Sequence, residues 1–416
     1  MKTYFEMLFL PPEIAEEILR YLNIKEIKAL RLTCKYFNVL AYPFVFATIH
    51  VYLNSINYYQ QSLSVLKAVS SRGRCHRLSI GKYVKHLYIH SHTDDTQVLP
   101  KHENFWNSLT KSQRRLEKRI YTSLPFMICL KKITWHLIHP IRQHFVDTIM
   151  YSIPPSKPIA VDLECPMEHL KLFEDLTCVH SMTINAYSAF WRPRSLLYNL
   201  VVNNHDLKVL RIHMDKKDMM SFPLWCLFSE IPSGTVSQLE ELIIIGGFTL
   251  EEQIPVVHLL NLKVLDVVFG YPNVPWDSLC SARIHLSDIY AHNRINDSLL
   301  TYLGSYDGLE QLKIHADHDD AHSQQFYHAI LPRHANTIKL LWVLPSSWSG
   351  TVWGLDTYVL EELLQCEGLT DIRIPIGLQN ASVTNAENII VNSDSRYPRD
   401  MAMAKPQGFT VPPAFE

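Results

Sequence analysis

The chain is 416 residues long, beyond the usual size of one compact domain, so it must hold several domains or an elongated repeat array. Hydrophobic residues make up 47% and charged residues 19%, which excludes a disordered chain and leaves enough apolar material for a continuous core. With a formal net charge of -2 there is no overall field to attract nucleic acid or an anionic membrane, and neither is expected as a partner.

The stretch LFLPPEIAEEILRYLNIKEIKALRLTCKYFNVLAYPFVF, residues 8 to 46, reads as three short helices. Pro11 and Pro12 mark the start of the first, where a missing N–H costs nothing. Ile14, Ile18 and Leu22 recur every four residues with Leu19 widening the stripe, while Glu13, Glu16, Glu17 and Arg20 take the other face. Asn23 followed by Glu26 has the form of a capping box and opens a second helix with Ile24, Ile27 and Leu30 apolar. The third carries Cys34, Phe37, Val39 and Leu40 and is expected to end before Pro43. Three helices in about 35 residues bury too little surface to fold well alone, so the rest of the chain or a second protein must cover some of these apolar positions. Ahead of them, FEMLFLPP is interrupted by Glu6 and stopped by proline, and no apolar run reaches the roughly 18–20 residues of a bilayer span. Neither an anchor nor a signal peptide is expected.

This segment resembles the F-box, from the leucine-proline-x-glutamate opening through leucine-threonine-cysteine-lysine to the proline-x-x-phenylalanine ending. The resemblance implies a helical module at residues 1–45 that docks on the Skp-type adaptor of a cullin-RING ubiquitin ligase. Carried over by position, the adaptor-facing residues are Leu10, Pro11, Ile14, Ile18, Leu22, Ile27, Leu30, Leu32, Cys34, Phe37 and Leu40. Lys25 and Lys28 depart from the acidic residue common there.

From Phe46 onward one pattern returns: an apolar residue, two free positions, an apolar residue, one free position, an apolar residue. Examples are Phe46-Ile49-Val51, Val84-Leu87-Ile89, Leu130-Ile133-Trp135, Leu207-Leu210-Ile212, Leu239-Leu242-Ile244, Leu309-Leu312-Ile314 and Ile338-Leu341-Val343. Leu279-Ala282-Ile284 and Ala386-Ile389-Val391 are weaker instances. The last two positions alternate as a half-buried strand requires, and many units recur after about 20–35 residues. Helical spacing fills the intervals, as in NFWNSLTKSQRRLEKRIYTSL, RQHFVDTIMYSI and TYVLEELLQ. The expected fold is therefore α/β, a three-helix module followed at residues 46–395 by a solenoid, or horseshoe, with parallel strands lining its concave face. It resembles the irregular leucine-rich-repeat proteins that follow an F-box in many substrate receptors. Asp215, Gly247, Gly270, Asp317 and Gly377 stand where that family has asparagine or cysteine, and turn formers there predict an irregular horseshoe.

The free strand positions should face the concavity. They include Tyr88, Arg211, Ile243, Asp266, Lys313, Trp342 and Arg373 between the last two apolar residues, and His90, His136, His213, Ile245 and His315 just beyond them. A partly apolar surface with an aromatic residue and arginines is the composition of a protein-binding face, so an unknown protein substrate is expected there.

Within HADHDDAH, residues 315 to 322, His318 and His322 could share a helical face as metal ligands do, but the stretch lacks an HExxH arrangement and also suits a helix start. No phosphate-cradling GxxxxGK[ST], GxGxxG or GxSxG occurs, and the 8 cysteines never form a CxxC pair. No catalytic, cofactor or metal site is expected, and reduced thiols suit the cytoplasm or nucleus. Residues 396–416 are proline-spaced without periodicity and read as a loose tail. The chain is expected to be a non-catalytic substrate-recognition subunit, with an interaction scaffold or a metal-dependent enzyme as alternatives.

Overall fold

A computed structural model describes residues 10–53, 56–70, 80–91, 103–138, 141–152, 159–186, 194–214, 235–245, 256–268, 276–316, 319–345 and 357–374, with short pieces at 222–223, 228, 231, 248–249 and 353–355. Helix α1 (Pro12–Tyr21) begins at its two prolines. Helix α2 (Ile24–Leu30) is opened by the expected capping box. The Asn23 side-chain oxygen accepts from the amides of Lys25 and Glu26, each at 3.0 Å, and the Glu26 carboxylate accepts from the Asn23 amide at 2.8 Å. Helix α3 (Lys35–Leu40) follows. It ends before Pro43, as expected, and Pro43 itself sits in the first turn of a fourth helix, α4 (Tyr42–Val45), where a proline removes no hydrogen bond.

Leu19, Ile27 and Ala41 form the core of this bundle, padded by Leu22, Leu30, Leu40, Phe44 and Val45. That cluster is distinct from the much larger one of the remaining chain. The two are joined at a short seam, where the Tyr42 and Tyr83 rings lie 6.2 Å apart and the Arg31 guanidinium stands over Phe46.

Beyond the bundle, 12 strands form one open sheet. They are β1 (Thr48–Tyr52), β2 (His86–His90), β3 (Lys132–His136), β4 (Ala160–Pro166), β5 (Val179–Ala186), β6 (Val209–Met214), β7 (Glu241–Ile245), β8 (Val264–Val268), β9 (Asp288–Arg294), β10 (Gln311–Ala316), β11 (Leu340–Pro345) and β12 (Asp371–Arg373). Every pairing in the sheet is parallel and joins strands consecutive in this order. Each crossover moves on to the next position and none turns back, which keeps the connecting helices on one face. The alternation read from the sequence is the reason: Leu87 and Ile89, Leu312 and Ile314, Leu341 and Val343 are buried, while Tyr88, Lys313 and Trp342 between them are not. The buried rows pack against α5 (Ile56–Ser70) through Leu66 and Val69, α6 (Glu103–Ser123) through Leu116 and Ile120, and α7 (Gln143–Tyr151) through Phe145 and Ile149.

Polar groups inside this core are stitched to neighbouring coils. The buried Asn204 side chain accepts from Val179 N–H at 2.7 Å and donates to the carbonyls of Leu176 and Leu200. Tyr302 accepts from Leu286 N–H at 3.1 Å and donates to Ile284 O at 2.8 Å. Trp135 is wedged edge-on between Phe145 and Phe173, with centroids 5.8 and 5.7 Å away.

Two strands escaped the sequence pattern, and one assignment was misplaced. In β4, Val161, Leu163 and Cys165 are buried without a leucine three residues ahead. In β9 the buried set is Leu286, Ile289 and Ala291, the last too small to mark a unit, whereas Leu279 belongs to helix α8 (Trp276–Ser281). Ala386-Ile389-Val391, the turn formers Asp215, Gly247, Gly270, Asp317 and Gly377, and the tail at 396–416 lie outside the described residues.

Candidate functional site

The bundle carries more apolar surface than it hides. Ala15 and Leu19 turn inward from α1, leaving Ile14 at 50%, Ile18 at 38% and Tyr21 at 82% exposure along the opposite side. Ile24 on α2, Leu32 after it and Val39 on α3 are exposed as well. Of the residues expected to face an adaptor, Pro11, Ile14, Ile18 and Leu32 are exposed, and Leu10, Leu22, Leu30, Cys34 and Leu40 are half-buried. Ile27 and Phe37 are instead buried inside the bundle, where their role is packing. Sequence reasoning passed over Tyr21, Ile24 and Val39. The spacing 14, 18, 21 is itself a helical line, and it would have found Tyr21. Ile24 also borders a groove of about 470 Å³ between the bundle and the start of the sheet, reaching Phe44, Ala47 and Lys85.

The second surface is the helix-free face of the sheet. Hydrogen-bonded register lines up Tyr52, His90, His136, Glu164, Thr183, Arg211, Ile243, Asp266, Tyr290, Lys313, Trp342 and Arg373 as one continuous row. This departs from the expected grouping. A register shift where β4 meets β5 moves the pairing by one residue, skipping His180 between the pairs Val161–Val179 and Asp162–Ser181. His90 and His136 therefore stand with Arg211, whereas Tyr88 aligns with Thr134, Asp162 and Ser181, one row away. His213 and Ile245 pair with each other in a third row.

The first strands carry rings. Tyr88 stacks on His50 at 4.5 Å, and Tyr52 stacks on His90 at 4.7 Å. Burial holds His86 down at about 4, helped by Lys132 and opposed by Asp162, and its ring contacts Thr134 Oγ1 at 2.8 Å. The centre is apolar around Ile243 and Ile245, bordered by the Arg211–Glu241 ion pair at 2.6 Å. Burial lowers the pKa of His213 there, with Arg211 adding to the effect.

The last strands carry stacked cations. Lys313 Nζ lies 4.2 Å from the Tyr290 ring centroid and 3.9 Å from that of Trp342, whose ring also holds the Arg373 guanidinium at 3.7 Å. Beside them, burial pushes Asp266 up to about 7 against the pull of Lys313, and Asp288 up to about 6 with Glu310 adding to the rise. Lys313 is itself lowered by burial, as is His315.

His318 lies outside the described residues, and His322 meets Asp297 at 3.0 Å. Among the described residues no group of three or more His, Cys, Asp or Glu is arranged to hold a metal ion. Nor is any described helix long and apolar enough to cross a membrane.

A family model for the F-box-like domain matches residues 7–51, the segment that forms the bundle and β1. The chain therefore carries an F-box-like domain followed by an open parallel sheet of 12 strands. No curated protein matches the chain.

Proposed function

We propose that this protein is the substrate-recognition subunit of a cullin-RING ubiquitin ligase. Its F-box-like bundle docks a Skp-type adaptor, and the open face of its leucine-rich-repeat-like horseshoe captures a protein in the cytoplasm or nucleus. The observation that supports docking is the exposed line Ile14, Ile18 and Tyr21 with Leu32 and Val39, on a bundle whose own core is small. An apolar surface of this kind on so small a module is stabilised by a second polypeptide. The open face supports capture, because it sets an apolar centre between ring-rich and cation–aromatic ends, the mixture found at protein-binding surfaces. The chain supplies no acid, base or nucleophile on this reading. It works by proximity, raising the effective concentration of substrate lysines near an activated ubiquitin held elsewhere in the complex.

The test is binding of purified full chain to a purified Skp-type adaptor, with Ile18→Asp and with Glu17→Ala as an exposed polar control on the same helix. Loss of binding for Ile18→Asp alone, with the thermal melt unchanged, supports docking; equal binding by all three forms defeats it. Ubiquitin-dependent loss of a captured protein, present with wild type and absent with Ile18→Asp, separates a ligase subunit from a scaffold.

A further inference from the structure

Four histidines crowd the open face of β1 to β3, and three of them are joined in series. His50 Nδ1 lies 3.0 Å from His90 Nε2, and His90 Nδ1 lies 3.3 Å from His136 Nδ1. His136 Nε2 is 3.5 Å from Glu164 Oε1. The series is held by the sheet, since His90, His136 and Glu164 are register partners on adjacent strands. Tyr52 and Tyr88 stack on His90 at 4.7 and 5.9 Å and limit rotation of its ring.

Each nitrogen–nitrogen contact needs one N–H and one lone pair, and a neutral imidazole has one of each. Glu164 decides which arrangement the series takes. A carboxylate repels a lone pair, so His136 directs Nε2–H toward it. If His136 is neutral, its Nδ1 accepts from His90 Nδ1–H, and His90 Nε2 accepts from His50 Nδ1–H. If His136 is an imidazolium, both of its nitrogens donate. His90 must then accept at Nδ1 and donate from Nε2, so His50 accepts at Nδ1 and keeps its own proton on Nε2.

We infer that His50, His90 and His136 form a proton-linked relay, in which protonation beside Glu164 reverses the donor and acceptor roles of every ring as far as His50, against the F-box-like bundle. One proton gained at one end changes the hydrogen-bonding character of all three rings across β1 to β3. The surrounding charges favour its arrival at the Glu164 end. Lys28 on α2 faces His50 and, after burial, lowers its affinity for a proton. On the flank, His86 faces Lys132, Asp162 and His50, while Arg211 and Glu164 face His213. The relay is built from residues of the sheet alone, so it does not rest on the docking of an adaptor.

Side-chain nitrogen NMR of the full chain labelled at histidine reads each tautomer directly. Wild type should show His50 as the Nδ1–H form at the alkaline end of a titration and as the Nε2–H form at its acidic end. Glu164→Gln removes the carboxylate that orients the series and should displace that switch. His90→Phe preserves a ring in the stack but no nitrogen, so His50 should then be indifferent to Glu164→Gln. Sensitivity that persists in His90→Phe marks a through-space effect and overturns the relay. If His90→Phe does not fold, the wild type alone decides, because an Nε2–H form of His50 throughout the titration overturns it.

Discussion

Truncating exposed residues of the bundle should weaken adaptor binding in proportion to their exposure and leave the free chain intact. Ile→Ala and Leu→Ala each remove about three carbons, worth about 0.8 kcal/mol apiece when fully buried. Ile14 is 50% exposed, so a partner that covers it gains about 1.2 kcal/mol from those carbons, and Ile14→Ala should weaken binding about sevenfold. Leu32 is 80% exposed, giving about 1.9 kcal/mol and roughly 25-fold. Ile27 behaves in the opposite way: it is 4% exposed in the bundle core, so Ile27→Ala should cost the free bundle about 2–4 kcal/mol. Calorimetric titration with the adaptor measures the first pair, and hydrogen exchange of the α1 and α2 amides measures the third. Wild-type affinity in both Ile14→Ala and Leu32→Ala would refute the reasoning, because no partner would then be covering that surface.

Other consequences follow from the sheet. His86 holds its proton more weakly when folded, at about 4 against an ordinary 6.5, so it stabilises the neutral fold above pH 6.5 and loses that contribution as pH falls toward 4. The ring is half-exposed, and with screening the loss is about 1–2 kcal/mol; His86→Phe should flatten the melting temperature between pH 7 and 4.5. Asp266 has the reverse sign. Its carboxyl, raised to about 7, contributes stability below pH 3.8 that is lost as pH climbs through 7, so Asp266→Asn should raise the melting temperature at pH 8 and remove the slope. Tyr302→Phe strands the buried Leu286 N–H and Ile284 carbonyl and should cost about 2–4 kcal/mol in denaturant unfolding. Asn204→Ala breaks three buried hydrogen bonds, two of them to the preceding coil, and should cost about 3 kcal/mol by the same measurement.

Legibility in the sequence tracked the size of the side chain that carries each signal. Strands with two large aliphatic residues at period two, such as Leu87 and Ile89 or Leu341 and Val343, were readable because burial demands them. β9 was not, since Ala291 fills a buried site without announcing it. The bundle shows the same limit in another form. Periodicity reveals an apolar stripe but not which side of it meets the bundle's own core, so Ile14 and Ile18, which point outward, could not be told from Ile27, which points in. Composition of the open face was also readable, whereas its rows were not. The single step at which β5 skips His180, between the pairs Val161–Val179 and Asp162–Ser181, leaves no trace in the sequence pattern, yet it decides that Glu164 stands beside Thr183 rather than Met182.

The first strands link the two surfaces physically. Pairing from β1 to β4 runs without a shift, and the rings carried by β1 to β3 collect at the end of the sheet nearest the bundle. Lys28 of α2 contributes to the field at His50, so the bundle and the open face are electrostatically in contact although their apolar cores are separate. Covering α1 and α2 with a partner would remove water from around Lys28 and strengthen its repulsion of a proton on His50. The bound form should therefore show His50 harder to protonate than the free form, a comparison that a histidine titration with and without adaptor makes directly. An unchanged titration would mean that the partner, if one binds, lies away from Lys28.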